Sequence, residues 1–127
     1  MVVVRLSWSN WNEEVLRSQV LTLVYFWHEE CPWCRRLTPI FKKLASEYEG
    51  EAKFAMINVL DSEENRELAM DLGVTGTPTS MFFCEGRPLM SYVGFVAEEE
   101  LRRIINDALN KYKSRLIQSA DLKKYIV

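Results

Sequence analysis

Apolar and polar positions change period several times along the chain, and each change marks an element. Val2 to Leu6 is short, apolar and β-branched, and reads as a first strand. Ser7, Ser9 and Asn10 break it. Asn10 followed by Glu13 has the offset of a capping box, which predicts a short helix over Trp11 to about Ser18. Trp8 and Trp11 are read as packing residues, since aromatics mainly supply buried area. Val20 to Trp27 is apolar on both faces, the pattern of a central strand covered on both sides. His28-Glu29-Glu30 is the polar turn that leaves it. From Cys34 the period becomes helical, with Cys34, Leu37, Ile40, Phe41, Leu44, Ala45 and Tyr48 in one stripe. Pro32 falls at the first helical position, where proline is best tolerated. Pro39 inside the helix predicts a kink about one turn back, and Gly50 ends the element.

Lys53 to Val59 is the next strand, and Asp61-Ser62 opens a helix to about Leu72. Residues 73–78 form a loop. Thr79 to Cys84 and Leu89 to Val93 are strands around a tight turn at Glu85-Gly86, a hairpin signal. Leu101, Ile104, Ile105, Ala108, Leu109 and Tyr112 mark a final long helix, with acidic residues in its first turn. Strands alternating with helices, then a hairpin and a helix, predict an α/β fold. Its core is a central mixed sheet of about five strands with helices on both faces. Residues 1–112 form the domain. In residues 113–127, Leu116, Ile117, Leu122, Tyr125 and Ile126 return at roughly helical spacing, with Ser119 and Asp121 placed to start a short helix. This extension is expected to pack on the same domain; a dimer or a partner contact are the alternatives.

Composition narrows the classes of function. A chain of 127 residues, 48% hydrophobic and 27% charged, is one globular domain with enough length for a working core. Its net charge of -2 leaves no basic footprint for nucleic acid. No apolar run approaches the roughly 20 residues that cross a bilayer. The first five residues, Met1 to Arg5, are too short and too soon charged for a secretory signal. Three cysteines are an odd number, which argues against a multi-disulfide scaffold and makes the cytoplasm the expected compartment.

Candidate chemistry centres on Cys31-Pro32-Trp33-Cys34, at the junction of the apolar strand and the amphipathic helix. Two cysteines three apart in this setting are the sequence form of a redox dithiol. On a first helical turn, positions i and i+3 share a face, close enough for the sulfurs to bond. Cys34 continues the core-facing stripe and is expected to be buried, whereas Cys31 at the helix tip is expected to be reachable. The helix N-terminus lowers the Cys31 pKa, and a protonated His28 acts the same way; Glu29 and Glu30 oppose them. A zinc site is the alternative, but it wants four ligands and only Cys84 and His28 remain to complete one. Cys84 lies in an apolar strand and reads as core filler. Trp33, beside an exposed thiol, is expected to shape a substrate surface, while Arg35-Arg36 read as a solvated helix face.

The pattern resembles the thioredoxin family over roughly residues 2 to 112. The residues that carry the resemblance are Phe26-Trp27, Cys31, Cys34, Pro39, Asn58, Asp61, Gly73-Val74, Thr77-Pro78-Thr79, Glu85-Gly86 and Val93-Gly94. It implies a thioredoxin-like fold and a cis bond at Thr77-Pro78, whose loop faces the dithiol and pairs with an extended substrate. Trp33, Gly76, Thr77, Pro78 and Gly94 would then line the substrate groove. Four positions depart from the family. Pro32-Trp33 stands where thioredoxins carry Gly-Pro, closer to the Pro-Tyr of glutaredoxins. Glu30 replaces a tryptophan. Tyr25 replaces a buried acid, and Met56 replaces its neighbouring lysine. Tyr25, Pro32 and Glu30 are therefore the residues expected to tune the redox chemistry.

The implied function is protein thiol-disulfide exchange, with Cys31 as nucleophile and Cys34 as resolving thiol. No cofactor is needed beyond the dithiol. The implied partners are disulfide-containing proteins and an unidentified reductase or small-thiol donor, with no nucleic acid and no membrane, and the chain is expected to act as a monomer. A disulfide oxidase or isomerase, a glutaredoxin-like enzyme and a non-catalytic interaction module remain the competing readings. With tyrosine in place of the acid, deprotonation of Cys34 is expected to depend on Glu29, Glu30 or water, or to be slower.

Overall fold

A computed structural model of the chain describes residues 2–126 in backbone and 2–112 in side chain. The expected alternation is present. Strand β1 (Val3–Leu6) is followed by a π-helical turn (Asn12–Leu16), β2 (Thr22–Trp27), α1 (Pro32–Glu47), β3 (Lys53–Asn58) and α2 (Glu63–Asp71). The hairpin β4 (Thr79–Cys84) and β5 (Arg87–Val93) then leads to α3 (Glu98–Ile126). The five strands form one mixed sheet in the order β1-β3-β2-β4-β5. Strands β1, β3 and β2 run parallel, and β4 and β5 are antiparallel additions.

Strand β2 is central, and its continuous apolar run is explained by what covers it. Leu23 and Tyr25 face a cluster with Leu37, Phe41 and Leu44 of α1 and Leu101, Ile105 and Ala108 of α3. Val24 and Phe26 face a second cluster with Leu6, Trp11, Val15, Ala69 and Phe83. Helices α1 and α3 are also joined at the surface, where Arg102 pairs with Glu47 at 2.9 Å and Lys43 with Glu98 at 2.9 Å. The expected tail helix begins instead as part of α3, which is one element to Ile126. How the side chains of residues 113–127 pack lies outside the described residues.

Two local expectations are corrected. The helix after β1 is present, but Asn10 does not cap it. Its side chain turns back, accepting the Ser7 N–H at 2.8 Å and donating to the Arg5 carbonyl at 3.0 Å. Asn competes well for nearby backbone groups, and here the preceding turn wins. The Arg17 N–H then reaches the Asn12 carbonyl at 3.0 Å, five residues back, which gives the turn its π character. Trp11 packs, edge-on to Phe83 with centroids 5.4 Å apart, but Trp8 is 58% exposed.

Candidate active site

The end of β2, the start of β4 and the first turn of α1 meet at one end of the sheet. Phe26 stands opposite Thr79 in the β2–β4 ladder, so the loop before β4 lies beside the loop that leaves β2. In that second loop His28 organises the turn: its Nδ1 accepts the Glu30 N–H at 3.2 Å, and its carbonyl accepts the Cys31 N–H at 3.4 Å. Glu30 itself is exposed.

Cys31 is the N-cap of α1, with Pro32 at the first helical position. Its extended backbone (φ -90°, ψ 109°) lets Sγ swing over the helix end and accept the Cys34 N–H at 3.2 Å. Sulfur here takes the role an oxygen plays in an ordinary N-cap, satisfying one of the unpaired N–H groups. Cys31 and Cys34 are joined as a disulfide, with Cα atoms 5.2 Å apart. Cys34 is buried as expected, at 2% exposure, but Cys31 is only 4% exposed. The Cys31 sulfur in the disulfide is turned in over the helix end toward Cys34, which accounts for its cover.

Beneath the disulfide, Tyr25 is fully buried and stacked on Phe41 with centroids 4.9 Å apart. Its hydroxyl donates to the Cys34 carbonyl at 3.1 Å and lies 3.0 Å from Thr38 Oγ1. The single tyrosine hydrogen is used on the carbonyl, so Thr38 donates to Tyr25. Burial pushes the Tyr25 pKa up, and the Thr38 bond pulls it partly back. Tyr25 is thus a neutral hydrogen-bond donor that ties β2 to the dithiol turn, and it cannot serve as a base near neutral pH. Met56 is its direct partner across the β2–β3 ladder. A cleft of about 330 Å³, lined by Trp27, His28, Glu29, Cys34, Arg35, Thr38 and Pro39, opens on Cys34 from the side.

The Thr77–Pro78 peptide is cis. The Pro78 carbonyl accepts the Gly94 N–H at 2.7 Å, and Thr79 Oγ1 donates to the Gly76 carbonyl at 2.6 Å. Gly76 and Thr77 share a second cleft, of about 250 Å³, with His28, Met70 and Val74. His28 lines both clefts, which places this loop and the dithiol on one surface. Trp33 is 52% exposed and carries the Arg36 guanidinium over its ring at 5.1 Å. Its indole also meets Phe95, with centroids 5.8 Å apart. Of the residues expected in the groove, Trp33 lies between the two cysteines, Gly76 and Thr77 share a cleft with His28, and Pro78 is bonded to Gly94. Phe95 and Thr38 were not foreseen. Thr38 is a polar position on an amphipathic helix, and Phe95 follows the last strand where no period applies.

Cys84 is buried at the far end of β4, away from the disulfide, and cannot join Cys31 and Cys34 around one ion. Among the described residues no three His, Cys, Asp or Glu side chains are grouped to hold a metal. No described helix is long and apolar enough to cross a membrane.

Comparison with known proteins gives a consistent result. The thioredoxin family profile matches residues 2–107. Thioredoxin of Rickettsia bellii is 35% identical over 98 residues, covering 77% of this chain and 90% of that protein. Thioredoxin 1 of Nostoc sp. is 34% identical over 101 residues, covering 80% and 92% respectively. Protein disulfide isomerase-like 2-3 of Oryza sativa subsp. japonica is 33% identical over 114 residues, 90% of this chain. The chain spans only 24% of that longer protein.

Proposed function

The chain belongs to the thioredoxin family of thiol-disulfide oxidoreductases, and we propose that it exchanges disulfides with protein substrates through Cys31 and Cys34. In the reducing direction the Cys31 thiolate attacks one sulfur of a substrate disulfide. A Cys31–substrate disulfide forms, and the second substrate sulfur leaves as a thiolate that takes up a proton. Cys34 then loses its proton and attacks the Cys31 sulfur. The Cys31–Cys34 bond forms and the remaining substrate thiolate departs. Two electrons pass to the substrate, and a reductase or a small thiol returns them to the protein. The dithiol carries both electrons, so the reading assigns no bound cofactor.

The observation that carries this reading is the placement of Cys31 Sγ at the N-terminus of α1, accepting the Cys34 N–H. In the reduced protein that N–H and the helix dipole favour the thiolate. Trp33, Gly76, Thr77, Pro78 and Gly94 receive the substrate segment. Tyr25 cannot take the Cys34 proton, so it leaves through the lateral cleft to water or Glu29. The protein works as a monomer in the cytoplasm, a placement supported by its cysteine usage: one redox pair and one buried thiol.

Stabilising the reduced form raises a dithiol's potential, and thioredoxin itself stands at about -270 mV. Pro32-Trp33 and the loss of the buried acid are read as moving this protein above that value. Equilibration in graded thiol-disulfide buffers, followed by the fluorescence of Trp27 and Trp33, measures it. A potential at or below about -270 mV would refute the tuning role given to these residues. Failure of the reduced protein to cleave insulin disulfides, with dithiothreitol as electron source, would refute the activity.

A further inference from the structure

Three large apolar side chains stand exposed at the dithiol turn and the Gly94 turn: Trp33 at 52%, Val93 at 69% and Phe95 at 40%. They come from separate elements, yet each is held in place. Trp33 belongs to the first turn of α1, and Val93 and Phe95 flank Gly94, whose N–H is fixed to the Pro78 carbonyl at 2.7 Å. The Trp33 and Phe95 rings lie at 47° to each other with centroids 5.8 Å apart, within the range where aromatic pairs attract. The two rings therefore make a shelf that bridges the dithiol helix and the Gly94 turn. The π face of Trp33 holds the Arg36 guanidinium at 5.1 Å. Among the described residues no carboxylate pairs with Arg36 or Arg35, whereas Arg66 has one, Arg103 two and Arg102 three. Arg36 is thus fixed by a ring and keeps its N–H fork free for an incoming carboxylate.

Resting on the disulfide-exchange reading above, we infer that Phe95 and Arg36 select the substrate. The preferred substrate is an extended protein segment with an aromatic or large aliphatic residue two positions from its half-cystine and an Asp or Glu two residues beyond that. The apolar residue covers the Trp33–Phe95 shelf, removing exposed ring surface from water. In an extended segment, residues two apart share a face, so the half-cystine, the apolar residue and the acid all face the protein, the acid on the side of Arg36. Two other charged groups of the dithiol loop, Glu29 and Glu30, precede Cys31 and disfavour a second acid on that side.

The test uses the full chain with dithiothreitol as electron source and a panel of peptide disulfides. The peptides differ only at the position two residues from the half-cystine (Phe or Ser) and two residues beyond it (Glu or Lys). The expected wild-type preference is about tenfold in kcat/KM for Phe over Ser, the low end of what one apolar contact discriminates. Phe95→Ser collapses that ratio toward one, Phe95→Tyr retains it, and Arg36→Glu reverses the choice between Glu and Lys. Thermal unfolding of each variant verifies the fold, and ratios within one protein cancel any loss of active fraction. Equal turnover of the four peptides by the wild type overturns the inference alone. No turnover of any peptide overturns the exchange reading with it.

Discussion

Tyr25 bonds the Cys34 carbonyl from the position where the family resemblance implies a buried acid, and Met56, its partner across the ladder, stands where it implies a lysine. Losing both halves of a buried ion pair together is near neutral, while losing one strands a charge. Tyr25→Asp alone is therefore predicted to destabilise the fold by about 3 kcal/mol in urea unfolding. Adding Met56→Lys is predicted to restore at least half of that loss; simple addition of two destabilisations would contradict the pairing. The restored acid should also shorten the life of the mixed disulfide by giving Cys34 a nearby base. Tyr25 could be picked out in the sequence because it sits at a fixed offset from Cys31 within one strand. Its bonds to the Cys34 carbonyl and Thr38 could not, because they span elements and depend on where a hydroxyl points. Phe95 was illegible for a related reason: outside a strand or helix, no period says which way a ring faces.

The β4–β5 hairpin was plain from Glu85-Gly86, and both residues adopt the positive φ that a two-residue hairpin turn requires, 52° and 81°. Nothing in the sequence places that turn against the π-helical segment, because the contact is tertiary. A Cβ on Gly86 would lie 2.6 Å from the Leu16 carbonyl oxygen, whereas one on Gly50 would meet nothing within 4 Å. Gly86→Ala combines left-handed strain with a backbone clash and is predicted to cost about 3 kcal/mol. Gly50→Ala, strained but unobstructed, is predicted to cost about 1 kcal/mol. Urea unfolding of the two variants measures the difference, and equal losses would contradict the packing of the turn. The π-helical segment makes the converse case. A capping box at Asn10 and Glu13 was expected to open it, but the Asn10 side chain bonds the preceding turn instead and the segment closes as a π-turn.

Across the whole molecule, the central place of β2 and the two covered faces of the sheet followed from apolar periods, since only a central strand supports such an uninterrupted run. The order β1-β3-β2-β4-β5 is instead set by tertiary pairing. Three tyrosines, Tyr25, Tyr48 and Tyr112, join the core to α1, α3 and the start of β2, and burial is the largest cause raising each pKa. A group with a raised folded pKa contributes stability that is complete below its unfolded value, about 10 for tyrosine, and is lost as pH climbs through the folded value. The urea midpoint is therefore predicted to stay level from pH 8 to about 9.5 and then to fall. A midpoint that stays level through pH 11 would contradict the burial of these hydroxyls. The division of labour between the two cysteines is the claim on which the rest depends, and it is tested by trapping. Cys34→Ser and Cys31→Ser proteins are incubated with a disulfide substrate, quenched by alkylation and weighed by mass spectrometry. The account predicts a covalent substrate adduct on Cys31 in the Cys34→Ser protein and none in Cys31→Ser; an adduct on Cys34, or on neither protein, would contradict it.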